Sequence, residues 1–213
     1  MIDSGYDRER LSTIRASSYP KSIVMVQTPL KTFADFLACT ATADRYYELT
    51  NGELIEMPPE SDGNLYRALQ LYEALKTVVS MRQIRLQGLA LAVPGQPRNR
   101  YPDLSVLRPE HPEQMGDLGQ AAITLEMAPP LLVVEIVSPG PENHRRDYVE
   151  KRNQYEWRDI PEYWIVDPVV NQVTVLALSA QGYEEKVFEG KMVVKSLSFP
   201  GWQLTAEAML NLP

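Results

Sequence analysis

Pro130-Leu-Leu-Val-Val-Glu-Ile-Val-Ser138 decides how this chain is read. Leu131 to Val137 has the length and β-branched content of a strand covered on both faces, where a residue is normally Val, Ile or Leu. Glu135 breaks that rule. A carboxylate in an apolar layer is costly unless it finds a hydrogen bond, a cation or a proton. Glu135 is therefore the first residue at which to expect chemistry. A carboxylate paired for purely structural reasons would account for the strand equally well.

The flanking segments supply partners. Upstream, Tyr101-Pro-Asp-Leu-Ser-Val-Leu107 reads as a second strand with Asp103 near its start. Downstream, Ser138-Pro-Gly-Pro141 breaks the chain, and Glu142 to Arg158 reads as a helix leading to a strand at Tyr163-Trp-Ile-Val166. Asp147, Lys151 and Tyr155 stand four apart and so share one helical face. By itself that pattern is an ordinary surface stripe. If the two strands pair, however, Asp103 and Glu135 point into one notch, with Lys151 on the helix behind them. Two convergent carboxylates suit Mg²⁺, a hard cation that takes oxygen ligands and keeps several waters.

Further out, Thr28-Pro29 offers a capping hydroxyl and a first-turn proline, which predicts a helix to about Cys39 with Phe33, Phe36 and Leu37 inward. Tyr46 to Met57 reads as a hairpin around Asn51-Gly52. Ser61-Asp62 opens a long helix, with Leu65, Leu69, Tyr72, Leu75 and Val79 as its apolar stripe. Gly88 to Val93 is a strand. Residues 108–129, rich in Pro, Gly and Glu, read as a loop. Three strands are expected near 171–178, 183–189 and 191–196, then a short helix at Thr205 to Leu210. Residues 1–27 show no period and are expected to form a loosely attached or disordered arm before one domain at 28–213. Hairpins mixed with a single crossover argue for an α+β fold with a mixed sheet.

Composition narrows the chemistry. Cys39 is the only cysteine, and His111 and His144 are the only histidines. This removes disulfides, cysteine-based zinc sites and HExxH motifs. No GxSxG elbow, P-loop or GxGxxG fingerprint is present. Carboxylates, lysine and tyrosine are what remains. The net charge of −7 counts against a broad DNA-coating surface, which needs cations to neutralise phosphates. No apolar stretch is long enough to span a membrane or to act as a secretory leader, so no membrane partner and a cytoplasmic location are expected.

Taken together, the fragments Tyr47-Glu-Leu-Thr-Asn-Gly-Glu53, Pro102-Asp-Leu-Ser-Val106, Leu132-Val-Val-Glu-Ile-Val-Ser-Pro139, Asp147-x-x-x-Lys151-x-x-x-Tyr155 and Glu162-Tyr-Trp-Ile-Val-Asp-Pro168 carry a resemblance. Over residues 28–210 the chain is similar to the Uma-type endonucleases of the PD-(D/E)XK, restriction endonuclease-like superfamily. That superfamily usually places its lysine two residues after the second acid, where this chain has Val137. In the Uma-type family the lysine has moved to the following helix, as Lys151 has here. The resemblance implies a restriction endonuclease-like αβββαβ core with a central mixed sheet, an N-terminal helix plus hairpin, and extra C-terminal strands.

For function, it implies hydrolysis of phosphodiester bonds in nucleic acid, expected to be DNA, with Mg²⁺ or Mn²⁺ as cofactor. Asp103 and Glu135 would hold the ion with the carbonyl of Ile136, and Lys151 would assist the attacking water. Glu48 stands at a family position and is read either as a third acid or as an exposed strand residue. Asn64 occupies the place where family members often carry His and is assigned to the substrate side. Arg145 and Arg146 are read as phosphate contacts or as a solvated helix start. A homodimer is expected by analogy. The competing expectation is a catalytically silent, dimeric binding or scaffold protein derived from a nuclease.

Overall fold

The computed structural model describes residues 29–30 and 32–211; the expected N-terminal arm lies outside them. The first helix, α1 (Phe33–Thr40), starts later than the Thr28-Pro29 signal implied. Thr32 and Asp35 exchange side-chain-to-backbone bonds in a capping box, and that reciprocal pairing sets the start. Phe36 and Leu37 turn inward as expected. The hairpin β1 (Tyr47–Thr50) and β2 (Glu53–Glu56) follows. Its turn residues Asn51 and Gly52 both have positive φ, 53° and 88°, as a type I′ turn requires. A Cβ on Gly52 would also lie 2.9 Å from the Cβ of Pro29, so the turn is seated against the segment leading into α1.

Helix α2 (Asp62–Leu75) is capped by Ser61, whose side chain accepts from the Asn64 N–H. Its buried face is Asn64, Ala68, Leu71 and Leu75, whereas Leu65 and Leu69 are exposed. The expected stripe divides: Leu75 is buried and Tyr72 and Val79 pack against the core, whereas Leu65 and Leu69 face out. In the first turns the positions that look less hydrophobic, Asn64 and Ala68, face the sheet instead.

The strands β3 (Ile84–Leu86), β4 (Ala90–Ala92), β5 (Asn99–Arg100) and β6 (Leu104–Val106) come next. Residues 108–129 are not simply a loop. They hold α3 (His111–Leu118) and β7 (Ala122–Ile123). Pro112 lies in the first turn of α3, and Gly119 closes it at φ 71°. The prolines and glycines that look like loop composition are therefore helix start and stop signals. β8 (Leu132–Ile136) leads into a continuous helical run: α4 (Pro141–Arg145), a π-helical stretch (Arg146–Lys151) and α5 (Arg152–Trp157). β9 (Glu162–Asp167), β10 (Gln172–Ser179), β11 (Gly182–Glu189) and α6 (Ala206–Leu210) complete the order. The strand expected at 191–196 is reduced to one bridge, Val193 to Thr205.

The central sheet has the order β11-β10-β9-β8-β6-β3. Only β8 and β9 are parallel, joined by the helical crossover. The sheet is thus mixed and the expected helix-strand-strand-strand-helix-strand order holds, but its first strand is β3. The segment expected there, β4, belongs to a smaller sheet β5-β4-β7. Successive β8 residues divide between two cores. Leu132, Val134 and Ile136 pack with α2, α6, Trp164 and Trp202. Val133 and Val137 pack with Tyr155, Tyr163 and Ile165. Every residue of β8 is buried, so the strand is covered on both faces as read.

Two further buried polar residues, Glu162 and His111, have hydrogen-bond partners. Glu162 accepts from the Trp164 indole at 2.6 Å, the Ser196 hydroxyl at 3.0 Å and the Ser198 N–H at 2.9 Å. His111 is fully buried and its Nδ1 accepts the Arg108 N–H at 3.2 Å. Burial pushes its imidazole pKa down. An unfolded histidine titrates near 6.5 and takes up its proton first, so this ring's contribution is whole above about pH 6.5 and fades as pH falls through the lower folded value. Thermal melts between pH 7 and 5 should therefore lose stability more steeply in the wild type than in His111→Gln. Equal slopes would reject this source of acid sensitivity.

Candidate active site

Strand alternation places Glu135 on the face of β8 that meets the helical crossover. It is 2% exposed. Its Oε1 accepts the Tyr155 hydroxyl at 2.5 Å, and its Oε2 lies 2.7 Å from Lys151 Nζ. The same ammonium is 2.8 Å from Asp147 Oδ1. Lys151 thus bridges a strand carboxylate and a helix carboxylate, and Tyr155 completes the set rather than merely packing.

The local helix geometry explains how three residues at four-residue spacing serve one point. Four residues of α-helix overshoot a full turn by about 40°. The wider π turn undershoots it, and π stretches recur at functional sites. Here the π stretch spans Asp147 to Lys151, and α-helix spans the step to Tyr155. The two deviations oppose each other, which keeps the three side chains in one line.

Asp103 arrives from the other side. β6 and β8 pair with Leu104 opposite Val134, so Asp103 stands opposite Glu135 where the ladder ends. Its Oδ2 accepts the Ile136 N–H at 2.6 Å, replacing the carbonyl that a longer β6 would have offered.

Burial raises the pKa of Asp103 well above the usual carboxylate range, and the negative charge of Glu135 adds to this. Burial also raises that of Glu135, against the opposing pull of Lys151. For Lys151 burial acts downward, but Glu135 and Asp147 outweigh it and leave the ammonium raised. Lys151 is therefore a permanent cation near neutral pH. It can donate hydrogen bonds and offset negative charge, but it cannot accept a proton.

These groups open onto a cleft of about 330 Å³. Asp103, Glu135, Ile136, Lys151 and Arg146 line it, and so does Glu48. Glu48 is already engaged, both oxygens lying 3.0 and 3.2 Å from Arg100 Nη1. Arg100, 2% exposed, also donates to Gln154 Oε1 at 2.8 Å.

Two expected site residues do not reach the cleft wall. Arg145 is exposed and pairs with Glu150. Asn64 is buried and donates its amide to Glu60, to the Ile136 carbonyl at 3.1 Å and to Ser138. Glu60, by contrast, lines the cleft and was not singled out from the sequence. Its position after Pro58-Pro59, where β2 must stop, was the available signal. Arg100 gave none, because a lone arginine in a polar stretch looks like surface. Of the aromatics near the site, Trp157 is 63% exposed, whereas Tyr163 and Trp164 are buried.

Among the described residues no three of His, Cys, Asp or Glu form a cluster able to hold a metal ion. The oxygen donors present are the carboxylates of Asp103 and Glu135 and the carbonyl of Ile136. That set fits Mg²⁺ or Mn²⁺, which bind through one or two carboxylates and fill the remaining positions with water. It does not fit soft metals, which select thiolate or imidazole. A divalent charge between two carboxylates of raised pKa would also offset their repulsion.

No curated protein matches the chain. Among solved structures, it resembles the crystal structure of a "putative nuclease belonging to DUF820" from Anabaena variabilis ATCC 29413, with a TM-score of 0.59 at 17% identity. The match covers 85% of this chain and 98% of the other, and so shows a shared fold. Residues 33–207 match the family Uma2, described as "Putative restriction endonuclease"; the chain belongs to that family.

Proposed function

We propose that this protein is a divalent-metal-dependent nuclease whose site is Asp103, Glu135 and Lys151. The observation that carries the reading is the convergence of two buried carboxylates and one permanent ammonium on a single cleft, in a chain of a family described as endonucleases. Asp103, Glu135 and the Ile136 carbonyl would hold Mg²⁺ or Mn²⁺. When bound, such an ion polarises a phosphoryl oxygen and lowers the pKa of a coordinated water.

The protein's own groups do the rest. Lys151 stands beside Glu135 as a fixed donor, positioned to orient the attacking water and to stabilise charge that develops on the phosphoryl oxygens. Asp147 and Tyr155 keep that donor and its carboxylate partner from rotating. Arg146 lines the same cleft and is suited to a non-bridging phosphate oxygen. Glu48 stays paired with Arg100 and acts as part of the wall rather than as a ligand.

One observation favours a second reading. Both oxygens of Glu135 and the Ile136 carbonyl already have protein partners. A site neutralised by its own lysine could persist in a binding protein that no longer cuts. Metal linkage separates the readings.

Mn²⁺ should raise the melting temperature of the wild type, since an ion that binds only the folded state stabilises it by mass action. Asp103→Asn keeps an acceptor for the Ile136 N–H and removes one repelling charge. It should leave metal-free stability unchanged or slightly higher and lose most of the Mn²⁺ gain. A wild type indifferent to Mn²⁺ favours the silent binding protein.

Lys151→Ala strands Glu135 and Asp147 without their cation. It should cost about 3–5 kcal/mol, as removing one partner of a buried ion pair does, and it should abolish Mn²⁺-dependent cleavage of DNA or RNA. Cleavage that survives both Asp103→Asn and Lys151→Ala rejects the assignment.

A further inference from the structure

The acid side of the cleft accounts for only part of its lining. The lining also includes Tyr46, Tyr101, Met57, Pro58 and Pro59. We propose that this wall is a subsite for an unpaired nucleobase, with Tyr46 and Tyr101 as its stacking surface, so that the protein engages single-stranded nucleic acid in preference to duplex. The proposal rests on the nucleic-acid reading above and names the form of strand that the same cleft takes.

Four observations carry it. Tyr46 is 43% exposed on the cleft rim, and its ring centroid lies 4.9 Å from that of Tyr101, tilted by 41°. A large aromatic left open in this way beside a polar site is available for stacking, and stacking on aromatic side chains is tolerant of base identity because every base has a π-face.

Tyr101 lies two residues before Asp103. A single short segment therefore carries part of the aromatic wall and a site carboxylate, and both line the cleft together with Glu135 and Arg146.

Tyr46 is seated against bare backbone. A Cβ on Gly88, where φ is 116°, would fall 3.0 Å from the Tyr46 hydroxyl. The ring hydroxyl packs close over Gly88, whose positive φ favours glycine.

Finally, charge and size disfavour a duplex. A duplex brings one negative charge per about 1.7 Å of axis and is held by basic surface, while this chain carries a net charge of −7. The cleft also holds Glu48 and Glu60 beside the site acids. Its volume of about 330 Å³ falls at the small end of ligand pockets, a scale for individual nucleotide units. Met57 and the two prolines offer no side-chain hydrogen-bonding group, so the wall holds a base without reading it.

The test uses the full chain and equilibrium binding of labelled oligonucleotides, read by fluorescence anisotropy in Ca²⁺ without Mg²⁺ or Mn²⁺. One mixed sequence is offered as single-stranded DNA, as single-stranded RNA and as duplex DNA. The wild type should bind at least one single strand more tightly than duplex. Tyr46→Leu should weaken that binding about 5- to 150-fold, the range of one lost base stack, and Tyr46→Phe should keep it within about twofold. Both variants should melt within a few degrees of the wild type, because Tyr46 is largely outside the core.

Equal affinity for duplex, no measurable single-strand binding, no effect of Tyr46→Leu, or equal losses in the Leu and Phe variants would each overturn the proposal. The DNA and RNA arms identify which strand the wall takes. A wild type that binds single strands through the ring yet cleaves none with Mn²⁺ would keep the subsite and reject the nuclease. Cleavage with no dependence on the ring would do the reverse.

Discussion

One ammonium group holds this site together. Lys151 lies between Glu135 on β8 and Asp147 on its own helix, at 2.7 and 2.8 Å. Buried ion pairs contribute little net stability compared with apolar packing, because each charge must first leave water. Their hold on geometry is the larger effect. Glu135 can occupy a fully covered strand only while a cation stands beside it, and Lys151 can be buried only while carboxylates surround it. The position of the crossover helix over β8 is therefore fixed by charge as well as by shape. Because that helix connects the parallel pair β8 and β9, the sheet and the site constrain each other.

A second set of buried polar contacts extends this rigidity. Arg100 joins Glu48 of the hairpin to Gln154 of α5. Gln154 in turn donates to the carbonyls of Pro94 and Pro97. Asn64 ties the start of α2 to the end of β8. The cleft is thus assembled from segments far apart in the chain, each fastened by bonds that would be costly to leave unmade. Such a cleft is preorganised, and electrostatic stabilisation of a developing charge depends on donors that need not reorient.

The parts of this arrangement that could be read from the chain carry either a local signal or a family one. Glu135 interrupts an apolar strand, Asp103 follows a proline at a strand start, and Lys151 falls in a four-residue series. Asn51-Gly52 is as explicit a turn signal. The residues that escaped reading obey local patterns or are neutral to them. Arg100 resembles a surface arginine until the fold buries it. In α2 the expected Leu75 is buried, but at the start of the helix tertiary packing turned Asn64 and Ala68 inward in place of Leu65 and Leu69. Prolines and glycines between 108 and 129 marked the ends of α3, a role indistinguishable from loop composition without knowing what lay between them. Nothing in the residues Arg146 to Lys151 announces a π stretch.

That stretch has a consequence for how the helix can vary in length. A π turn amounts to an α-helix carrying one surplus residue, accommodated as a local widening. Deleting a position between Asp147 and Lys151 would let the backbone relax to ordinary pitch, and the residues after the stretch would keep their facing because the widening absorbs the surplus. Asp147 and Lys151 would then stand three apart, so the deletion would disturb their ion pair and leave Tyr155 turned toward Glu135 and Gln154 toward Arg100.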